Sequence, residues 1–397
     1  MSSILPFVDP EEIGLSAARL GRIRTAMEKH ISANRLAGGL GLIARRGRIG
    51  YFENYGEFPL DSIARIYSMT KAVTGVAALM LFEEGAFALA DPIAKFLPEF
   101  GRMQVAVEAP DATGKMVLTG TVPAERPITV LDVMRHTAGF NYAGPHDEKG
   151  ELLYPQRGLQ MMATSLPAAE FTKRLSEIPL VRQPGTAWDY GFGTDVLGRI
   201  VEVISGQTLE EFFNERILQP LHMRETGFHV PEEKWDRIAP IYQPTQDGTI
   251  RLMAGAIQDA CRRSPVMFFG GGGLMSTALD YVRFTQMLLN GGEFGGVRLL
   301  SRMTVELMHS DLLGAIPSVS PLLAPGHGFG ITVAINKGPA HSATLPAPGQ
   351  YRWGGAAGTA WWVDPREEMI GIFFMQTLLD LAKRSEFMQL AYQAIVD

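Results

Sequence analysis

The chain has 397 residues, of which 46% are hydrophobic and 20% charged, and its formal net charge is −6. This length accommodates two domains or one large domain with an insertion, and the composition is ordinary for a globular protein. The acidic balance, without a basic cluster among aromatic residues, argues against nucleic acid as a partner. One cysteine, Cys261, allows neither an internal disulfide nor a cysteine-based metal site.

Targeting and metal-binding patterns are not found in the sequence. The first residues have neither a basic segment nor a long apolar run, and no stretch approaches the ~18 apolar residues of a membrane span. We therefore expect a cytoplasmic protein that does not act at a membrane. The 8 histidines are scattered and form no zinc-binding motif, so neither a metal nor another cofactor is expected.

The first part of the sequence predicts a helix, a hairpin and a strand that leads into a second helix. Residues 16–36 have the amphipathic pattern of a helix that Ser16 can cap. Two strands follow at 38–45 and 49–55, joined by a tight turn. A short strand at 63–67 precedes a helix at 72–82 that is apolar on nearly all sides, which predicts that this helix is buried.

The middle of the sequence is mainly helical, whereas strands return near its end. Long connections rich in proline and glycine separate predicted helices at 129–135, 166–177, 195–204, 209–218 and 277–289. Residues 105–127 have room for a small hairpin. Predicted strands at 328–335, 359–363 and 369–375 precede a last helix at 382–396.

These elements predict an α+β fold. An antiparallel sheet from both ends of the chain, residues 1–90 and 303–397, would be flanked by helices. A mainly helical domain, residues 91–302, would be inserted between the two parts. A cleft between the domains is the expected place for an active site.

Ser68 and Lys71 are the first candidates for catalysis. They are three residues apart at the start of the buried helix, and such residues share a helix face with about 5–6 Å between their Cβ atoms. A serine hydroxyl needs a neighbouring base to become a good nucleophile, and burial favours the neutral form of a lysine. Ser68 is the only serine with a lysine three residues later. About one or two such matches arise by chance in a chain of this length, but an unpaired charge entering an apolar helix is costly.

Two glycine-rich segments supply further candidates. Tyr190 lies between Trp188 and Gly191 on a predicted turn, where its phenol could shuttle protons or could merely pack at a domain boundary. The segment 353–358 opens a C-terminal strand, and free N–H groups there could stabilise an oxyanion; a plain hairpin turn is the alternative. Gly270 to Gly273 predict a tight loop packed under the site. No Gly-x-Ser-x-Gly motif is present, which argues against an α/β-hydrolase.

Taken in order, Ser68-Met69-Thr70-Lys71, Tyr190 and Trp353-Gly354-Gly355 resemble the three motifs of the penicillin-recognising serine hydrolases. This family includes class C β-lactamases, D-alanyl-D-alanine carboxypeptidases and family VIII carboxylesterases. The segment 131–139 is also similar to the family, and the resemblance covers nearly the whole chain. It implies that Ser68 is the nucleophile, that Lys71 is its base partner and that Tyr190 completes the proton relay. It also implies an oxyanion hole formed by the backbone N–H groups of Ser68 and Ala356.

Two departures from the lactamase pattern bear on the substrate. Phe192 replaces an asparagine of the Tyr-x-Asn motif, and Trp353-Gly354-Gly355 stands in place of Lys-Thr-Gly. The missing groups are an amide that holds the substrate's amide and a cation that attracts its carboxylate. Their loss points to neutral esters rather than β-lactams or peptides. Phe192, Trp353, Gly354 and Gly355 are then expected to form the substrate-binding surface.

The resemblance thus implies a serine carboxylesterase that hydrolyses short-chain acyl esters through an acyl-enzyme on Ser68. Its partner would be a small-molecule ester, and no cofactor would be needed. Other activities remain open: β-lactam hydrolysis, D-aminoacyl peptidase activity, or the acyl transfer of the similar fungal acyltransferases. An alternative of another class is a penicillin-binding-like domain that has lost catalysis.

Overall fold

The computed structural model describes residues 5–160, 164–339, 345 and 348–397. Its helices are α1 (Ala17–Ser32), α2 (Thr70–Glu83), α3 (Val130–Met134), α4 (Leu153–Gln156), α5 (Ala168–Ser176), α6 (Gly193–Ser205), α7 (Leu209–Phe213), α8 (Ala256–Asp259), α9 (Ala278–Leu289), α10 (Arg302–Met308) and α11 (Ala382–Tyr392). Its strands are β1 (Gly38–Arg45), β2 (Arg48–Gly56), β3 (Ala64–Arg65), β4 (Gln104–Pro110), β5 (Met116–Pro123), β6 (Tyr242–Pro244), β7 (Ile250–Leu252), β8 (Met275–Ser276), β9 (Glu293–Phe294), β10 (Val297–Arg298), β11 (His327–Phe329), β12 (Ala334–Asn336), β13 (Tyr351–Gly354), β14 (Ala360–Asp364) and β15 (Met369–Met375).

In the described part of the chain, the main sheet has 7 strands in the order β11-β12-β13-β14-β15-β1-β2. Neighbouring strands are antiparallel. The N-terminal hairpin joins the C-terminal strands where β1 pairs with β15, with Leu42 opposite Ile372. The predicted α+β class, with an antiparallel sheet from both ends of the chain and flanking helices, is confirmed.

Both faces of this sheet are covered. Side chains alternate along β1, so that Leu42 belongs to the larger core and Ile43 to a second core on the opposite face. Helices α1 and α11 contact each other and cover the second core, while α9 packs against β14 and β15. Helix α9 lies within the predicted insertion of residues 91–302, yet it packs on the sheet. Packing alone thus does not separate the insertion from the sheet domain, and the predicted domain boundaries stay a prediction.

Helix α2 is the most deeply buried helix around the site. Every residue from Thr70 to Leu81 is buried, as its apolar pattern predicts. The helix packs against α6 and α7. At Gly75 an added Cβ would lie 2.4 Å from Thr332 Oγ1, so glycine permits close packing there. No helix among the described residues is long and apolar enough to cross a bilayer.

Several boundaries differ from those predicted from sequence. The predicted strand at 63–67 is shortened to β3, which pairs with β8 outside the main sheet. The reason is a 3₁₀ turn, Tyr67–Met69, that begins before α2 and holds Ser68. The predicted strand at 328–335 is two strands, because Thr332 adopts a positive φ of 62° and reverses the chain. The small hairpin in the region 105–127 is present as β4 and β5.

Gly371 offers a test of sheet packing. It lies opposite Trp362 in the register of β14 and β15, and an added Cβ would lie only 2.0 Å from Trp362 Cζ2. Gly371→Ala should lower the free energy of unfolding by about 1–3 kcal/mol, because the buried ring has no room to move. Urea unfolding measures this change. Gly120→Ala, on the exposed hairpin with nothing within 4 Å, is the control. Equal midpoints for the two variants would contradict this packing.

Candidate active site

Ser68 lies on the 3₁₀ turn between β3 and α2, at the wall of a cavity of about 410 Å³. The residue before it, Tyr67, has a φ of 45°, in the left-handed region that non-glycine residues rarely adopt. Such strain costs about 1–3 kcal/mol and persists only where the surroundings fix it. Here the Tyr281 hydroxyl of α9 donates a hydrogen bond of 2.9 Å to the Met69 carbonyl. The sheet-packing helix therefore holds the turn that presents Ser68.

Lys71 is fully buried, and three oxygen atoms surround its Nζ. Ser68 Oγ is at 3.3 Å, Tyr142 Oη at 3.0 Å and the Gly271 carbonyl at 2.5 Å. To act as a base, Lys71 must first give up one proton, and its two remaining N–H bonds can then be donated to Tyr142 and Gly271. Its lone pair is then directed at the Ser68 hydroxyl, as a base partner requires.

Tyr142 is a site residue that the sequence reasoning missed. It is half-buried at the cavity wall, and its hydroxyl oxygen accepts a hydrogen bond from Lys71 Nζ. Burial, and then the charges of Tyr190 and Asp195, hold the pKa of Tyr142 well above its usual range, so that it stays a neutral phenol. A signal was available, because Tyr142 comes three residues after the segment 131–139 that resembles the family.

Tyr190 reaches the same cavity, but with different contacts from those expected. Its hydroxyl accepts a hydrogen bond of 3.2 Å from Trp353 Nε1, and Lys71 Nζ lies 4.7 Å from the centre of its ring. Among the described residues it makes no hydrogen bond to Ser68 or Lys71. The tyrosine that hydrogen-bonds to Lys71 is Tyr142, whereas Tyr190 meets Lys71 only through the face of its ring, and the relay role of Tyr190 stays a prediction.

Phe192 does not line the cavity, although it was expected on the substrate-binding surface. Only 1% of its surface is exposed, and its ring packs edge-on against Tyr142 at 4.9 Å and Phe171 at 5.2 Å. The physical reason is that α6 begins directly after it, which turns its side chain into the helical core. Phe192 therefore supports Tyr142 from behind.

The segment that opens with Trp353 lies on the opposite wall. Trp353, Gly354, Gly355 and Ala356 all line the cavity with Ser68. A Cβ at Gly355 would lie 2.4 Å from the Ile66 carbonyl, so glycine lets this strand end approach the turn that holds Ser68. The Ala356 N–H forms no hydrogen bond to any described residue. It remains available as a donor, and the oxyanion hole of Ser68 and Ala356 stays a prediction.

Asp195 is a second site residue that the sequence did not indicate. It is buried on α6, where its Oδ1 accepts a hydrogen bond of 2.9 Å from the Gly271 N–H. Burial raises its pKa to about 6, while the positive charge of Lys71 and the Gly271 N–H oppose this shift. Gly271 thus bridges Asp195 and Lys71. The loop from Gly270 to Gly273 lies under the site as predicted.

The rest of the cavity wall is mainly apolar, and its polar members are His327, Ser385 and two cations. Its hydrocarbon surface includes Leu322, Leu323, Leu379 and Leu381, and its cations are Arg352 and Arg384. Within the described ranges, no group of three or more His, Cys, Asp or Glu residues could hold a metal ion. Ser68 and Lys71 supply a serine nucleophile and an amine at this wall.

Comparison with known proteins agrees with this fold. A family model described as Beta-lactamase matches residues 23–393. An uncharacterised protein of Mycobacterium tuberculosis is 36% identical over 347 residues, covering 84% of this chain and 82% of that protein. Esterase EstB of Burkholderia gladioli is 28% identical over 382 residues, covering 90% of each chain. The solved structure of EstCE1, described as a hydrolase with promiscuous acyltransferase activity, has a TM-score of 0.78 at 23% identity, covering 96% of this chain and 99% of that one.

The fold and the site together define a serine hydrolase, an enzyme that transfers acyl groups. The chain belongs to the Beta-lactamase family, because the family model covers nearly all of it. The resemblance inferred from the three motifs is confirmed at this level.

Because the carboxyl of Asp195 is buried, we expect the stability of the folded protein to depend on pH. Its folded pKa is raised from 3.8 to about 6, so its stabilising contribution is full below pH 4 and is lost as the pH rises through 6. The rise corresponds to at most about 3 kcal/mol. Asp195→Asn removes this titration, so wild type should lose stability relative to the variant between pH 4 and pH 7. Urea unfolding of both proteins across that range measures it, and a difference that stays constant with pH would contradict it.

Proposed function

We propose that the protein is a carboxylesterase that hydrolyses short-chain acyl esters through an acyl-enzyme on Ser68. The observation that carries this proposal is the position of Ser68 Oγ, 3.3 Å from the buried amine of Lys71 and at the wall of a cavity of about 410 Å³. The name of Esterase EstB supports the same activity in a relative that matches 90% of this chain.

In the first step, Ser68 Oγ attacks the carbonyl carbon of the ester while its proton passes to Lys71. Negative charge then develops on the former carbonyl oxygen, where the N–H groups of Ser68 and Ala356 stabilise it. Removing one such donor typically slows an enzyme by about 10²–10³-fold. Collapse of the intermediate breaks the bond to the alcohol oxygen and leaves the acyl group on Ser68.

The leaving alkoxide needs a proton, which Lys71 and Tyr190 provide together. Lys71 carries the proton taken from Ser68, and Tyr190 relays it from the cavity wall to the alcohol oxygen. Water then attacks the acyl carbon while Lys71 accepts its proton. Collapse of this second intermediate breaks the bond to Ser68 Oγ, which takes the proton back from Lys71, and the carboxylic acid leaves. Tyr142 and Gly271 keep the amine in place during both steps through their hydrogen bonds to Nζ.

The lining of the cavity supports an ester substrate. Among the described residues that line it there is no Asn or Gln side chain that could pair with a substrate amide. Phe192, which stands at the position of the lactamase asparagine, lies behind Tyr142. A buried amide without partners is costly, whereas an ester has no N–H group to satisfy.

Activity on matched substrates tests the proposal. Wild type should hydrolyse p-nitrophenyl butyrate faster than p-nitrophenyl palmitate and faster than a chromogenic cephalosporin. Ser68→Ala should retain less than about a hundredth of the activity, because a nucleophile cannot be replaced by its neighbours. It should also lose labelling by a fluorophosphonate probe. Ser385→Ala removes another hydroxyl near the cavity and is the control. Labelling and turnover that survive in Ser68→Ala would refute the proposal.

Two tyrosine variants separate the relay from a supporting role. Tyr190→Phe should lower kcat by about 10²–10⁴-fold, the usual contribution of positioned proton transfer. Tyr142→Phe removes one hydrogen bond to Lys71 and should lower kcat by only about 2- to 10-fold. Both changes keep the ring, so the melting temperatures should differ little from that of wild type. The opposite order of effects would assign the relay to Tyr142.

A further inference from the structure

Two arginine side chains on the cavity wall have no acidic partner. Arg352 lies on β13 and Arg384 on α11, and both are half-buried. Arg352 Nη2 donates a hydrogen bond of 2.8 Å to His327 Nε2, and its Nη1 lies 3.3 Å from Met388 Sδ. Arg384 forms no hydrogen bond or ion pair with any described residue. The two positive charges are therefore compensated by no carboxylate in the described part of the chain.

The hydrogen-bond partners of Arg352 carry no charge. Burial, and then the Arg352 charge, lower the pKa of His327, so this imidazole stays uncharged. Its Nδ1 lies 3.2 Å from the backbone carbonyls of Ala324 and Pro325 and donates its proton there. Nε2 is then the acceptor for Arg352. This arrangement fixes the direction of the Arg352 guanidinium without cancelling its charge.

Burial of two like charges side by side is unfavourable unless something compensates it. Burial and the neighbouring Arg384 charge lower the pKa of Arg352 to about 10, and burial also lowers the pKa of Arg384. By contrast, the buried guanidinium of Arg45 is paired with Glu367 and Asp397. A bound anion would supply Arg352 and Arg384 with the negative charge that Glu367 and Asp397 supply to Arg45.

The uncompensated charge lies beside the reacting groups. A Cβ at Gly354 would lie 2.3 Å from Arg384 Nη1, so the guanidinium packs against this glycine. Gly354 is two residues from Ala356, the expected oxyanion donor. The charge of Arg384 also interacts with Tyr190. The sequence predicted a site without a cation because Lys-Thr-Gly is missing, but α11 and β13 place cations at the cavity by another route.

We propose that Arg384 and Arg352 form a subsite for a carboxylate, so that the ester hydrolysed at Ser68 carries a carboxylate on its acyl or alcohol part; this rests on the proposed esterase function. A guanidinium matches a planar carboxylate through two parallel N–H donors. The leucine side chains of the same cavity accommodate the hydrocarbon between the ester and the acid.

Matched pairs of esters test where the charge lies. The first pair is 4-nitrophenyl hydrogen glutarate and its terminal amide, which differ in the acyl part. The second is 4-butanoyloxybenzoate and 4-butanoyloxybenzamide, which differ in the alcohol part. In at least one pair the carboxylate should have a kcat/KM at least tenfold above that of the amide. Wild-type ratios of one or less in both pairs would overturn the proposal.

Variants at Arg384 separate anion binding from support of Tyr190. Arg384→Gln should lower the carboxylate-to-amide ratio about 10- to 100-fold, as expected for the loss of a charge-assisted hydrogen bond. Arg384→Lys keeps the charge but not the planar donors, so it should restore part of the ratio. Arg22→Gln, on the exposed side of α1, is the matched control and should keep the wild-type ratio. An equal loss of kcat on both esters in Arg384→Gln would instead make Arg384 a positioning residue for Tyr190 and overturn the subsite.

Binding without turnover distinguishes failure of the subsite from failure of the esterase proposal. Calorimetry on Ser68→Ala should give at least tenfold tighter binding of 4-butanoyloxybenzoate than of 4-butanoyloxybenzamide. The double variant Ser68→Ala/Arg384→Gln should lose that preference. If wild type hydrolyses none of the four esters while Ser68→Ala keeps the preference, the subsite stands and the esterase function falls. Turnover of all four esters with no preference in rate or binding would mean that the esterase function stands and the subsite falls.

Discussion

The site depends on the burial of one amine, Lys71 Nζ, which has no exposed surface. A buried amine is tolerated only when its hydrogen-bonding capacity is met. Its oxygen partners come from three separate parts of the chain: the turn before α2, the loop that follows α3 and the glycine loop that precedes β8. Fixing this nitrogen therefore fixes the three segments relative to one another. Asp195 extends the same network by one more residue, through Gly271.

Close backbone approach sets the remaining geometry. At Gly271 an added Cβ would lie 2.6 Å from Asp195 Oδ2, and at Gly355 it would lie 2.4 Å from the Ile66 carbonyl. A side chain at either place would push apart the groups that the chemistry needs together. In both cases glycine serves to bring a second segment within van der Waals distance, and φ is not positive at either residue.

The sequence predicted the features that arise within one segment of the chain better than those that arise between distant segments. The burial of α2 and the pairing of Ser68 with Lys71 followed from side-chain spacing along one helix, and β1 and β15 followed from their composition. Tyr142, Asp195 and Arg384 reach the site through the packing of distant segments, and only Tyr142, close to the family-like segment 131–139, had a signal in the sequence. Phe192 was misplaced because its spacing from Tyr190 does not reveal that α6 begins there and turns the ring inward.

The pairing of β1 with β15 also determines when the protein can fold. Gly39 and Met375 are partners in this register, so a ribosome must make nearly the whole chain before the two strands can meet. Until then, the hairpin of β1 and β2 has an open edge with unpaired backbone N–H and C=O groups, and its apolar faces lack cover. Such edges are prone to pair with other chains. Contacts this distant in sequence also slow folding, because the long loop must close before they contribute. The nascent chain thus passes through a long interval in which the edge of β1 lacks the C-terminal strand that covers it in the folded protein.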